Sequence, residues 1–425
     1  RPPAPGPAYS QPPPEQCLVP TTRRNMLSTV STLAIRAQQR PVASLNPRRN
    51  AVKAPKGTAP LRRGNVLLRS SRQTRGNHVV AAVAPPPGSS FVEDSRGKDP
   101  ALEAQIKDAV VNKKALTKVD LNVGKLIRNG KVRDVYDSGD FIISLTSDRQ
   151  SAFDRMLCAV PFKGQVLNQT SVWWFENTRH IIPNAFVASP HPYVTVMKKA
   201  EVFQVEFVMR GYLTGSTETS IQTQYFNGVR NYCGNPLPEG LQKSQKLPEN
   251  LLTPTTKGVR DIPIDLRGIV DEGLMCKADL EYCAKAAKEL FAFGQQEAAK
   301  RGLILVDTKY EFGKLSDGTI VLIDEIHTPD SSRFWVGSTY EERFNAGQSP
   351  ESIDKEFLRL WFRDHCDPYK DEVLPEAPVE LVSELSRRYI LLYETITGTK
   401  IRLADGVIDP YAMEQSIKQV MSSLR

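Results

Sequence analysis

Residues 125–146, KLIRNGKVRDVYDSGDFIISLT, alternate apolar and polar positions in short runs separated by glycine turns. A period of two in runs of this length predicts antiparallel strands joined by tight turns. Residues 200–216, AEVFQVEFVMRGYLTGS, read as a further strand ending in a Gly/Ser loop, and residues 217–260, rich in Pro, Gly and Asn, read as loop. The period then changes. Leu280, Cys283, Ala287, Leu290 and Phe291 fall three or four apart, which predicts a helix over 277–302 with Gly302 at its C-terminal end. Residues 351–365, 378–396 and 409–424 read as helices too. Strands cluster before helices instead of alternating with them, so the fold class is α+β and not a doubly wound sheet.

Residues 306–335, VDTKYEFGKLSDGTIVLIDEIHTPDSSRFW, hold two apolar arms around Ser-Asp-Gly-Thr. Asp-Gly between alternating apolar runs is a strong hairpin signal, because both central residues of a type I′ turn need positive φ. With Asp317 and Gly318 as a two-residue loop, Ser316 pairs with Thr319 and Glu311 faces Asp324. Asp307, Lys309 and Glu311 then share that face. Opposed like charges destabilise an antiparallel pair, so something must offset them. Two readings stand: Lys309 or Lys314 neutralises the carboxylates on a solvated surface, or a divalent cation does. Mg²⁺ suits the second, since it takes one or two carboxylates and completes its shell with water and substrate phosphate. His327, alone beside these acids, reads as structural. Past the second arm, Asp330, Ser331, Ser332 and Arg333 follow one another. Two hydroxyls and a guanidinium suit a phosphate or carboxylate ligand; the plainer alternative is a Ser/Asp turn with the arginine lying over Trp335.

Neither GxxxxGK[ST] nor GxGxxG occurs, which disfavours a P-loop ATPase or a Rossmann enzyme. Lys131 and Arg133, on early strands beside glycine turns, are placed to reach phosphates as a strand lysine does in kinases. Arg210 and Ser216 form a second anion-binding pair at the end of VEFVMRGYLTGS. This combination fits ATP-dependent activation of an anionic substrate, by a kinase or an acyl-phosphate ligase. A phosphotransferase acting on a hydroxyl normally carries a base such as the Asp of HRD, and no HRD occurs. Loss of Lys131, Glu311 or Asp324 would favour a non-catalytic nucleotide-binding module, but all three are present.

The 425-residue chain has a net charge of +8, but residues 1–92 hold 14 Lys/Arg against one acid, Glu15. That leaves 42 basic and 47 acidic residues in 93–425, so the high pI belongs to the leader and gives no argument for a nucleic-acid partner. An Arg- and Ser-rich, acid-poor start reads as a disordered transit peptide over 1–92, in preference to a plain basic tail. Its Pro, Ser and Ala content favours the plastid stroma over the mitochondrion. No apolar run approaches the ~18–20 residues of a membrane span. The six cysteines form no CxxC and no zinc spacing.

Six segments in order resemble the SAICAR synthetases (phosphoribosylaminoimidazole-succinocarboxamide synthases) of purine biosynthesis. They are GKVRDVYD (130–137), LTSDRQSAFD (145–154), GQVLNQTSVWWF (164–175), VEFVMRGYLTGS (205–216), LVDTKYEFGK (305–314) and DEIHTPDSSRFW (324–335). The resemblance implies a two-lobed α+β fold, with a β-rich nucleotide lobe over 93–205 and an α+β substrate lobe over 206–425 ending in helices. It implies that ATP, L-aspartate and carboxyaminoimidazole ribotide (CAIR) give SAICAR, ADP and phosphate through an acyl phosphate. The partners are then small molecules, with no nucleic acid and no membrane. Glu311 and Asp324 are implied Mg²⁺ ligands. Lys131 contacts ATP phosphates with Arg133 nearby, and strand 202–207, with Glu206 a candidate, holds adenine. Arg210, Ser216 and Arg333 grip the ribotide phosphate. Asp307 and Lys309, as catalytic groups, surround the imidazole and its carboxylate together with Asp330. Ser331 and Ser332 share that loop, and Lys257 binds an anion. The 147–154 loop is expected to close over the nucleotide or aspartate. On this reading Glu311→Gln weakens metal–nucleotide use with little loss of folding, because it relieves like-charge repulsion.

Overall fold

A computed structural model describes residues 99–424 apart from 154, 259–260, 354–355 and 405–407. The expected leader, 1–92, lies outside the described residues. Helix α1 (Pro100–Val111) opens at Asp99, whose carboxylate accepts from the Leu102 backbone at 3.2 Å, a side-chain N-cap. Strands β1 (Lys125–Asn129), β2 (Arg133–Asp137) and β3 (Phe141–Thr146) form the expected meander. A hairpin of β4 (Arg149–Ala152) and β5 (Arg155–Ala159) leads into α2 (Lys163–Asn177). β6 (Phe186–His191) and β7 (Val194–Lys198) then complete an antiparallel sheet in the order β1-β2-β3-β7-β6.

β8 (Glu201–Tyr212) starts a second sheet. The stretch expected to be loop holds α3 (Ile221–Phe226), the ribbon β9 (Asn231–Tyr232) and β10 (Asn235–Pro236), then β11 (Lys246–Leu252) and β12 (Thr255–Thr256). These pieces are too short to show a period. β13 (Ile262–Pro263), α4 (Leu266–Asp271) and α5 (Lys277–Ala299) lead to β14 (Leu303–Lys314), β15 (Ile320–Ile323) and β16 (Ser332–Val336). The order is β13-β12-β8-β14-β15, with β11 also on β8 and β16 on β14. The described chain ends in α6 (Gly337–Asn345), α7 (Glu356–His365), α8 (Val379–Thr397) and α9 (Pro410–Ser423). α7 starts five residues later than its pattern suggested, because Glu351 and Ile353 pair with the backbone of Val336 and Phe334 instead, both at 2.9 Å.

The periodic face of α5 packs Leu280, Cys283, Ala287, Leu290 and Phe291 against Phe207, Leu305, Tyr310 and Phe312 of β8 and β14. The β14–β15 hairpin differs from expectation. Leu315 N donates to Thr319 O at 2.8 Å, so the loop is Ser316-Asp317-Gly318, three residues long. The register slips by one, and Glu311 faces Ile323, not Asp324. A one-residue slip flips side chains between faces. Asp324 escapes that outcome because it lies past the strand end with φ +65°, a left-handed conformation.

His327 follows in the same turn and is fully buried, with Tyr310 Oη 2.5 Å from Nε2 and the Trp174 ring edge-on at 4.5 Å. Burial pushes its pKa down to about 3, so the ring is neutral and structural. Gly294 of α5 makes room for it: a Cβ there would stand 2.4 Å from His327 Cε1 and 2.8 Å from Leu305 Cδ2. Helix propensity favours alanine over glycine by about 1 kcal/mol, whereas overpacking a filled core costs about 1–3 kcal/mol or more. Gly294→Ala is therefore expected to lose stability, by about 1–2 kcal/mol in urea unfolding. A variant as stable as the parent would show that the imidazole is not pinned.

Candidate active site

The Glu311–Asp324 pair expected across the hairpin does not form; a different like-charge pair stands on the other side of β14. Glu311 sits directly opposite Glu206 of β8. Lys309 lies between them, its Nζ 2.6 Å from Glu311 and 3.0 Å from Glu206, with Asp324 at 4.0 Å. Of the two lysines considered for this neutralisation, Lys314 goes elsewhere, to Asp279 at 2.5 Å. The pairing of β12 with β8 at Thr255–Glu206 carries Lys257 in, and its ammonium donates to the second oxygen of Glu311.

The electrostatics follow from this count of partners. Burial alone would raise the pKa of Glu311, but Lys309 and Lys257 outweigh it and hold the carboxyl at about 2. Glu206 is raised instead, because burial exceeds what its share of Lys309 gives back. Lys309 itself is held charged: burial pulls its pKa down, and Glu311, Asp324 and Glu206 push it above the usual lysine range.

Arg133 was expected on phosphates. Its guanidinium instead makes a two-pronged pair with Glu325 at 2.9 and 2.6 Å, and stands 3.7 Å from Asp324. Glu325 is buried and also accepts from Thr328 Oγ1 at 2.5 Å. β2 belongs to one sheet and the 324–328 turn follows a strand of the other, so this pair links the two. Lys131 is not on a strand; it is exposed in the β1–β2 turn.

A cavity of about 330 Å³ opens beside the lysine–carboxylate group, lined by Glu206, Arg210, Asp307, Lys309, Asp330 and Arg333 among others. Asp307 is shared by two guanidiniums, Arg333 at 2.5 Å and Arg210 at 3.9 Å, and Arg210 Nε also donates to Thr253 at 2.8 Å. Ser331 and Ser332 line the cavity as well, whereas Ser216 lies in the exposed loop after β8 and Thr217, Thr219 and Ser220 take the lining positions. Lys131, Arg133, Lys257, Glu311 and Asp324 are not lining residues of this cavity. Sequence reasoning missed three participants. Arg359 of α7 lines the cavity, and Lys163 and Tyr389 bind the two oxygens of Asp330. The FKG that opens α2 was a visible signal for Lys163; nothing local marks Tyr389.

The 147–154 segment does not begin as a lid. Ser147, Asp148, Arg149 and Gln150 are buried, and Asp154 lies outside the described residues. Among the described residues no three His, Cys, Asp or Glu side chains converge as a ready-made metal site. Glu311 and Asp324 offer hard oxygen donors, one of them firmly ionised, and that fits a cation such as Mg²⁺ that draws its other ligands from phosphate and water.

Two guanidiniums gathered on one carboxylate leave a surplus of positive charge for an incoming anion. A cavity of this kind, on antiparallel sheets with no P-loop, fits an enzyme that acts on anionic small molecules. Comparison with known proteins makes this particular. The SAICAR synthetase family model matches residues 126–376, and the chain belongs to that family. It is 59% identical over 300 residues to the chloroplastic phosphoribosylaminoimidazole-succinocarboxamide synthase of Arabidopsis thaliana, covering 70% of this chain and 72% of that one. The Legionella pneumophila (strain Lens) enzyme of the same name is 60% identical over 67% of this chain and 91% of its own. Among solved structures, a SAICAR synthase from Saccharomyces cerevisiae complexed with SAICAR superposes with a TM-score of 0.58. It is 30% identical, and the match covers 67% of this chain and 99% of that one.

The lysine cage revises the expectation for Glu311→Gln. Removing the charge strips two ammonium groups of their common partner, and breaking a buried pair costs more than relieving one repulsion returns. The variant is expected to lose about 1–3 kcal/mol at neutral pH. Because the folded pKa of Glu311 is depressed from its usual 4.5 to about 2, this difference is fully present above pH 4.5 and shrinks as pH falls towards 2. Urea unfolding of both forms across that range checks it, and a gap independent of pH would refute the assignment.

Proposed function

We propose how the residues of this chain divide the work of the family reaction. As a SAICAR synthetase the chain is an ATP-dependent ligase of purine biosynthesis. It joins L-aspartate to the carboxylate of CAIR to give SAICAR, ADP and phosphate. It is a chloroplast protein, as its plant relatives from Arabidopsis thaliana and Vigna aconitifolia are by name.

The observation that carries the residue assignment is the sharing of Asp307 by Arg210 and Arg333 at the cavity wall. Guanidiniums held by a carboxylate keep their planar forks oriented, and an arriving phosphate meets donors already in place. The CAIR phosphate lies there, with Ser331 and Ser332 donating and Ser216 joining from its loop. Asp307, Lys309 and Asp330 face the imidazole and its carboxylate. ATP occupies the lobe of 93–205, built on the first sheet, with Lys131 on its phosphates; CAIR occupies the lobe of 206–425. β8, in the second sheet, begins beside the boundary between them, its 202–207 segment flanking adenine and Glu206 standing at the cavity edge where nucleotide and CAIR meet. Arg133 serves by holding the 324–325 turn, and Lys257 is poised to exchange Glu311 for a phosphate.

Glu311 and Asp324 would hold Mg²⁺, which would neutralise phosphate charge. The CAIR carboxylate attacks the γ-phosphorus and ADP leaves, giving an acyl phosphate. The aspartate amine then attacks the acyl carbon, loses a proton, and phosphate departs with its bonding pair. Activation is needed because a carboxylate would otherwise have to expel oxide. Lys309, held charged by its carboxylates, stabilises the negative charge that develops on the attacked carboxyl.

The test mixes the protein with MgATP and CAIR, with and without L-aspartate, follows ADP, and weighs the product. Aspartate-dependent ADP release with a succinocarboxamide product supports the mechanism; a stable phosphoester formed without aspartate overturns it. Arg333→Lys is expected to raise the KM for CAIR about tenfold or more and leave that for ATP nearly unchanged, since lysine lacks the two-pronged fork. An unchanged KM for CAIR would remove Arg333 from the phosphate site.

A further inference from the structure

The first turn of α2 carries a group that the reaction as drawn does not use. Lys163 is fully buried, yet it is a lysine. Its Nζ donates to Asp330 Oδ2 at 2.6 Å and to the Arg149 carbonyl at 3.1 Å. The other oxygen of Asp330 accepts from Tyr389 Oη of α8 at 2.8 Å, and Tyr389 is fully buried too. Asp330 is the member of this trio that lines the cavity.

Three features fix where Lys163 stands. Asp148 accepts from Gly164 N at 2.8 Å and from Leu116 N at 2.8 Å, tying the start of α2 to the segment after β3. Gly164 presses on that segment so closely that a Cβ would lie 2.5 Å from Thr146 O. Arg149, whose carbonyl receives the ammonium, is itself buried and paired with Asp134 at 2.7 Å. A fully desolvated ion pair is poor value for stability, since apolar residues of similar volume commonly do as well or better. A buried ammonium aimed at a carboxylate that opens into a substrate cavity is explained better by what it does to that carboxylate.

We infer that Lys163 is a positioning residue, acting with Tyr389 to fix the orientation of the Asp330 carboxylate in the CAIR cavity. This rests on the reading above that Asp330 faces CAIR. With both oxygens held from helices outside the hairpin, Asp330 cannot rotate with the 329–332 turn, and the lone pairs it offers keep one direction. Misplacement of a binding group by about 1 Å can cost on the order of 10²-fold.

The test is a double-mutant cycle of Lys163→Met and Asp330→Asn. KM for CAIR and for ATP and kcat are measured per folded enzyme, the folded fraction being taken from circular dichroism. Lys163→Met is expected to lower kcat/KM for CAIR about 10–100-fold, mostly through KM, with KM for ATP unchanged. In the Asp330→Asn background the same change should cost less than about threefold, because its target is already gone. Tyr389→Phe, which removes one hydroxyl and keeps the packing, should give a smaller KM effect of about 3–10-fold with the same non-additivity; it carries the test if Lys163→Met does not fold. Additive effects, or a loss confined to the folded fraction, would overturn the positioning role and leave Asp330 in its place. A wild-type KM for CAIR in Asp330→Asn would instead overturn the placement of Asp330, and the inference with it.

Discussion

Two carboxylates face each other across neighbouring strands, Glu206 on β8 and Glu311 on β14, and the site depends on how that repulsion is resolved. Out of water the repulsion between like charges is several-fold stronger than in it. Lys309 resolves it from two positions before Glu311, on the same face of the same strand, so the period of two that builds the sheet also delivers the counter-charge. Everything else around it adjusts the balance. Lys257 gives Glu311 a second partner and Glu206 none, which is why one carboxyl is held far down and the other is pushed up. The two acids look alike in the sequence; their unequal share of lysines makes them different.

The second constraint is that groups from the two sheets must keep register with each other. Arg133 on β2 holds Glu325 with both prongs and reaches Asp324, so the strained turn after β15 is braced from the opposite sheet. Arg149 does the corresponding work for the β1–β2 turn. Its guanidinium binds the Gly130 carbonyl at 3.1 Å, the Thr117 carbonyl at 2.7 Å and Asp134 at 2.7 Å. A segment that resembles a closing loop is therefore a buried bracket, holding the turn that carries Lys131 while its own carbonyl receives Lys163.

What could be read from the sequence was whatever a local period records. The α5 face, the β1–β3 meander, the start of α9 at Asp409 and the α+β class all rest on spacing along one element. The hairpin shows where this stops. Asp-Gly marks the turn correctly, but choosing a two- or three-residue loop decides which side chain faces which, and that choice was made by the sheet around the loop, not by the dipeptide. The facing partner of Glu311 lies 105 positions earlier in the chain, on a strand whose pairing no local pattern announces. Arg133 and Tyr389 were opaque for the same reason: Glu325 is 192 residues from the first, and Asp330 is 59 from the second. Charge types could be listed from the sequence, but which charge neutralises which is a property of the packing.

That packing has a consequence for catalysis. The reaction brings together a triphosphate, a ribotide phosphate and three carboxylates, and a site of bare cations would bind them tightly as substrates without favouring the transition state. Here the cations are already engaged: Lys309 and Lys257 with Glu311, Arg333 and Arg210 with Asp307. On the proposed assignment an incoming anion would replace or share a carboxylate partner instead of a full shell of water, so part of its attraction would be offset in the ground state. The orientation of each cation is meanwhile fixed before the substrate arrives. When charge moves onto the attacked carboxyl and then onto the departing phosphate, no dipole has to turn to meet it. On that assignment, the paired charges that look redundant as stabilising bridges are the means by which the site is arranged in advance.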